Sequence, residues 1–225
     1  MTFGESVRAF YKSLEIPRGL PQGVEALYPF RNPETWSVIE QFLDKYYNDA
    51  NPRILLMGIN PGRFGAGVTG IGFTDPIRLE QDCGIKNDFE KKAELSSKFI
   101  YDVIRAFGGP QKFYAKFFIS AVSPIGYVKH GKNYNYYDER GLEKAVEPFA
   151  VECIQKKLNF GCSSKCAFSI GQGKNLKFLE KINKKHDFFD EIKVVPHPRW
   201  VMQYRLKRKG EFIDQYLDEL NRAEV

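Results

Sequence analysis

Long apolar stretches are missing from this sequence of 225 residues. No run approaches the roughly twenty apolar residues that a membrane-spanning helix needs, so no membrane partner is expected. The opening stretch, MTFGESVRAFYKS, carries Glu5 early and has no apolar core of the kind a secretory leader requires. Cysteine is scarce, with four residues: Cys83, Cys153, Cys162 and Cys166. That is too few for a disulfide framework in a chain this long, and a reduced, cytoplasmic protein is expected. The spacing Cys153-x8-Cys162-x3-Cys166 contains no C-x2-C pair, which argues against a zinc or iron–sulfur centre. Cys153 and Cys166 fit core stripes instead. Neither a metal nor a cofactor is implied. There is no repeat and no low-complexity segment.

Acid is also in deficit: 34 Lys and Arg face 28 Asp and Glu, for a net charge of +6. That balance favours an anionic partner, either nucleic acid or an anionic surface. Aromatic residues are abundant, with 19 Phe and 12 Tyr, and the apolar fraction of 43% supports a real core. The length predicts a single domain over 1–225. Within it, 1–51 supplies N-terminal helices, 53–200 the core, and 201–225 a basic segment and a last helix.

Hydrophobic spacing predicts helices over 5–16, from 33 to near 51, over 76–83, 94–107, 110–116 and 139–158, from the GQGKN turn to about 185, and over roughly 210–222. Asn32-Pro33 gives the second of these a cap and a first-turn proline. Along 139–158, Leu142, Val146, Phe149, Cys153 and Leu158 form the expected buried stripe. Short apolar runs predict strands over 53–59, 117–122, 166–171 and 192–195. Strands alternating with helices imply a parallel sheet covered on both faces. The expected fold is α/β, a three-layer α/β/α arrangement on a short, mostly parallel four-stranded sheet. The segment 125–138, IGYVKHGKNYNYYD, reads as a basic, aromatic loop.

The strand RILLMG runs into INPGRFGAGVTGIGF. Pro61 biases Asn60 away from helix, and the crowd of glycines lets a ligand approach the backbone. The last strand runs into Pro196-His197-Pro198-Arg199-Trp200. Ligands of such sheets bind outside the carboxyl ends of the strands, so the two motifs should face one crevice. An amide, a histidine and nearby rings (Phe64, Phe73) suit a planar polar ligand such as a base. The histidine can donate to a leaving group. The turn Gly171-Gln-Gly173-Lys174 opens a helix, and its free amides with a lysine suit a phosphate.

GINPGRFGAGVTGIGF resembles the first motif of the uracil-DNA glycosylase superfamily, closest to the single-strand-selective monofunctional (SMUG-type) branch, G-M-N-P-G-x-F-G-M-x-x-T-G-V-x-F-G. The stretch FGGPQKFYAKFFISAVSPI is similar to that branch's C-G-x-P-x-x-F-F…H-N-L-C-P-L segment, and HPRW to the start of its second motif, H-P-S-P-R. The resemblance covers roughly 53–200. It implies a DNA glycosylase that flips a base from the strand and hydrolyses its N-glycosidic bond with water.

On this resemblance Asn60 positions the attacking water and His197 stabilises the departing base. Phe73 stacks on the base, and Gly62 and Ala66 line its pocket. The turn at Gly171, Gly173 and Lys174 holds a DNA phosphate. Two departures stand out. The family's base-reading asparagine falls at Ala121, which cannot pair with a base edge; either the pocket is looser and admits other deaminated bases, or another side chain reads the base. The second motif continues as HPRWVMQYRLKRK, where Arg199 and Arg205 offer a different contact surface to DNA. No acid stands beside Asn60, so no Asp general base is expected at that position.

Gly126–Asn133 nearly spells a phosphate-binding P-loop, but Asn133 replaces the metal-binding hydroxyl and no helix start follows. Lys132 and its neighbours instead suit a strand-tracking surface. The competing reading is a non-catalytic single-stranded nucleic-acid binding protein on the same fold. A monomer is expected in either case.

Overall fold

Arg53–Gly58 (β2) is buried along its whole length, as its unbroken apolar run predicts for a strand covered on both faces. In the computed structural model, which describes Met1–Val225, β2 is an inner strand of a four-stranded sheet. The other strands are Phe117–Ala121 (β3), Cys162–Ile170 (β6) and Glu191–Val195 (β7). The order is β3-β2-β6-β7 and every pairing is parallel. The expected four-stranded sheet is therefore present and fully parallel. Leaving β2 the chain passes to β3 on one side; β6 and β7 lie on the other. The strand order thus reverses at β2, where α/β sheets form their binding crevice.

The helices fall close to their expected places. They are Phe3–Lys12 (α1), Pro33–Tyr46 (α2), Ala66–Thr69 (α3), Pro76–Gln81 (α4), Leu95–Ala106 (α5), Pro110–Lys116 (α6), Arg140–Asn159 (α7), Lys174–His186 (α8), Pro198–Tyr204 (α9) and Lys209–Arg222 (α10). α1 starts earlier than its apolar spacing suggests because Thr2 and Glu5 form a reciprocal capping box. The Asn32 side chain caps α2 by accepting from the amides of Glu34 and Thr35. α7 buries Leu142, Val146, Ala150, Cys153, Ile154 and Lys157. Phe149 and Leu158, expected in that stripe, sit at its edge. All four cysteines are free and buried.

Three expectations change. The segment 125–138 is a β-hairpin rather than a loop, formed by Gly126–Lys129 (β4) and Lys132–Tyr134 (β5). His130 and Gly131 both take positive φ at its turn, the geometry that matches strand twist. Val24–Leu27 (β1) pairs with β4 to complete a small antiparallel sheet. These strands are only three or four residues long, too short to show apolar alternation. β6 starts at Cys162 instead of 166, because polar Ser163, Ser164 and Lys165 occupy its exposed end. The HPRW segment starts a helix, α9, with His197 as its cap and Pro198 in the first turn. Histidine is not a common cap, so the start was hidden. A set of 57 buried apolar residues forms one continuous core under both sheets. No helix is long and apolar enough to cross a membrane.

Candidate active site

The register of the sheet sets the site. Gly58 lies opposite Ala121, and Ile170 opposite Val195. The carboxyl ends of all four strands therefore emerge in one row, carrying Asn60, Ala121, Gly171 and His197 with them.

The glycine loop after β2 is shaped by close packing. A β-carbon on Gly58 would stand 2.8 Å from the ring of Phe73, and one on Gly72 would stand 2.8 Å from Ile119. Phe73 itself holds a φ of 52°, uncommon for a bulky residue. The hydroxyl of Thr69 donates to the Thr74 carbonyl at 2.7 Å and fixes this bend. The bend brings the edge of the Phe73 ring up against Gly58. Strain of this kind persists where the surroundings determine it, often at a functional site.

Asn60 is clasped from outside its own loop. Its Oδ1 accepts from the Tyr136 amide at 3.0 Å, and its Nδ2 donates to the Tyr134 carbonyl at 3.2 Å. The Oδ1 of Asn133 on β5 accepts from the Arg63 amide at 3.0 Å. The β4–β5 hairpin and the residues after it thus hold the loop and orient the amide. Tyr136 is fully buried, and its hydroxyl donates to Asn175 Oδ1 at 3.0 Å. Asn175 in turn donates to the Met57 carbonyl of β2 at 3.3 Å. A hydrogen-bonded chain therefore runs from the site's amide back to the central strand.

His197 caps α9: its Nδ1 accepts from the Arg199 amide at 3.2 Å. Burial and the nearby Arg199 charge lower its pKa to about 4. The ring is neutral at pH 7. With Nδ1 occupied as an acceptor, the proton sits on Nε2, which is left as a donor. The His197 and Phe73 rings lie 6.2 Å apart at 60°. Gly171 lies beside the imidazole at a φ of 119°, a backbone conformation that favours glycine.

Two cavities meet over these residues. The outer one, about 570 Å³, is the larger; it includes His197, Arg199 and the Gly171–Lys174 turn. The inner one, about 70 Å³, is narrower and includes Gly58, Ala66, Ile119, Ser120 and Ala121. Ile59, Asn60, Pro61, Gly62, Phe73 and Glu94 line both and form the rim between them.

Most expected residues are brought together here. Asn60, Gly62 and Phe73 stand at the rim, Ala66 and Ala121 in the inner cavity, and Gly171, Gly173, Lys174, Arg199 and His197 in the outer one. Phe64, Lys132 and Arg205 line neither cavity. The ring of Phe64, expected to bind the base, is 40% exposed and held outward beneath Arg63 and Lys92 at about 5 Å. Lys132 is exposed on β5. Arg205 lies over the Trp200 ring at 4.9 Å, and Trp200 does line the outer cavity. Sequence reasoning missed Tyr136, Asn175 and Glu94. NYNYYD hinted at the first through its rings; nothing in sequence marked Glu94.

The model of the Uracil DNA glycosylase superfamily matches residues 45–221. The chain belongs to the uracil-DNA glycosylase superfamily. The crystal structure of wild-type Pedobacter heparinus SMUG2 superposes with a TM-score of 0.95 and is 43% identical in sequence, over 98% of this chain and 97% of that one. That likeness places the chain in the SMUG-type branch. A search of curated proteins finds no match. Membership makes the protein a DNA glycosylase of the uracil-DNA glycosylase type, a DNA-repair hydrolase whose substrate is DNA.

Proposed function

We propose that this glycosylase is monofunctional: it flips uracil or a related deaminated base into the inner cavity and cleaves the N-glycosidic bond with water. The observation that carries this reading is the pair of joined cavities with Asn60 at their rim and a neutral His197 beside it. The strand fits the outer cavity, with a phosphate at the first-turn amides of α8 and Lys174. The base enters the inner cavity and stacks on Phe73.

As the bond to the base breaks, charge develops on the base oxygens and on the sugar. The Nε2–H of His197 is placed to donate to the departing anion. A neutral donor suits this task because it need not lose a charge. Asn60, held rigidly by Tyr134 and Tyr136, orients the water. No lysine reaches the rim, so no covalent imine intermediate enters the scheme. Ala121 leaves one wall of the inner cavity without an amide, which favours tolerance of several deaminated bases over strict uracil selection.

The test is base release from labelled single-stranded oligonucleotides carrying uracil, hypoxanthine or xanthine, read by alkaline cleavage at the abasic site. Release from more than one lesion is expected. Tight strand binding without release of any base would favour a non-catalytic binding module on this fold. The aromatic and cationic outer surface, Trp200 with Arg205, is the observation that keeps that reading in play.

A further inference from the structure

Glu94 opens α5 as its cap residue, yet its side chain makes no capping hydrogen bond. Its position is fixed through the backbone instead. The Glu94 amide donates to Asp75 Oδ2 at 2.8 Å, and Asp75 is fully buried, its other oxygen accepting from the Arg78 amide at 2.8 Å. The Glu94 side chain is thereby freed to turn toward the glycine loop. A β-carbon on Gly65 would overlap Glu94 Oε2, and one on Gly62 would stand 3.5 Å from Oε1. Gly65 leaves the room that the carboxylate fills, and Gly62 borders it at ordinary contact distance. That carboxylate stands at the rim shared by both cavities, with Asn60 and Phe73.

The rim is where chemistry must occur. If the base lies in the inner cavity and the strand in the outer one, the bond joining base to sugar crosses the rim. This inference therefore rests on the glycosylase reading. We propose that Glu94 is a catalytic residue: its carboxylate holds the attacking water at the rim and takes its proton as the bond to the base breaks. The C1′–N bond breaks and its electron pair leaves with the base. The water oxygen bonds to C1′, and the water proton passes to Glu94. The base anion, held by the Nε2–H of His197, takes a proton from solvent, and Glu94 returns its own to solvent. The negative carboxylate also faces the positive charge that gathers on the sugar.

Two features support the assignment. First, no acid stands beside Asn60 in the loop, so the carboxylate comes from a different element, α5. Second, burial and then the Asp75 carboxylate raise the pKa of Glu94 above the ordinary value, while Arg199 opposes them. Asp75 at the start of α4 and Arg199 on α9 are the charged groups that act on it. A carboxylate with a raised pKa is a better proton acceptor.

The test compares wild type with Glu94→Gln in single-turnover release of uracil from a single-stranded oligonucleotide across pH 4–9. The wild-type rate should fall as pH drops through the raised Glu94 pKa. Glu94→Gln should release base roughly 10²–10⁴-fold more slowly at pH 8 and show no such acid limb. It should bind an oligonucleotide carrying uncleavable 2′-fluoro-deoxyuridine as tightly as wild type and melt within about 2 °C of it. Added formate should restore part of the rate to Glu94→Ala. Equal rates and pH profiles for wild type and Glu94→Gln would overturn the assignment while leaving the glycosylase reading intact. So would a loss of release matched by an equal loss of analogue binding. Failure of the wild type to release any base would overturn both.

Discussion

At the scale of single residues, His197 carries two roles that pull its pKa in one direction. It caps α9 through Nδ1 and keeps its proton on Nε2, and burial holds the ring neutral. Its folded pKa of about 4 lies below the ordinary 6.5. The unfolded chain therefore binds the proton first as pH falls. The stability tied to this group is complete above pH 6.5 and is lost progressively toward pH 4, by about 3 kcal/mol. His197→Gln should flatten the stability profile between pH 4 and 6.5 in denaturant titrations; an unchanged slope would show that the ring is not held neutral. Ala121 poses the opposite question, of a group removed. It lines the inner cavity at the end of β3. Ala121→Asn should restore an amide to that wall and narrow selection toward uracil. A paired amide contributes about 1–3 kcal/mol of discrimination. The ratio of kcat/KM for uracil over hypoxanthine should rise by about five- to a hundred-fold, and a ratio that stays flat would place base reading elsewhere.

At the scale of elements, the β4–β5 hairpin is the part of the site that does not come from the sheet. It reaches across to clasp the glycine loop through Asn133, Tyr134 and Tyr136. Tyr136→Phe removes the hydroxyl that ties this clasp to Asn175. It leaves a buried amide oxygen without its donor, at a cost of about 1–3 kcal/mol. Base release should slow about ten-fold with KM nearly unchanged, because Asn60 loses its support rather than the substrate its contacts; steady-state kinetics separate the two. The hairpin also shows where sequence signal ends. The start of α2 was legible because Asn32 and Pro33 act on their own neighbours. β2 was legible because a strand buried on both faces must be apolar throughout. β1 exchanges its hydrogen bonds with β4, a segment about a hundred residues away. Nothing local in VEAL announces that. Glu94 was invisible for the same reason: its meaning comes from a glycine about thirty residues earlier that leaves it room.

At the scale of the whole molecule, one parallel sheet brings four strand ends into a row, and each end contributes a different part of the site. β2 supplies the amide and the loop, β3 the wall at Ala121, β6 the Gly171–Lys174 turn and β7 the histidine. The excess of basic charge, +6, favours association with a polyanion such as DNA. The alternation of strands and helices was enough to foresee the layering and the row. The joined cavities were not foreseen, since they depend on side chains from both sheets and on α5. The decisive measurement is single-turnover base release from a single-stranded uracil oligonucleotide by wild type, Asn60→Ala and His197→Ala, with binding to the uncleavable analogue measured beside it. Each substitution should slow release roughly 10²–10³-fold and leave analogue binding within a few-fold of wild type. Release at the wild-type rate by either variant would contradict the assignment of the joined cavities as the place where the bond is broken.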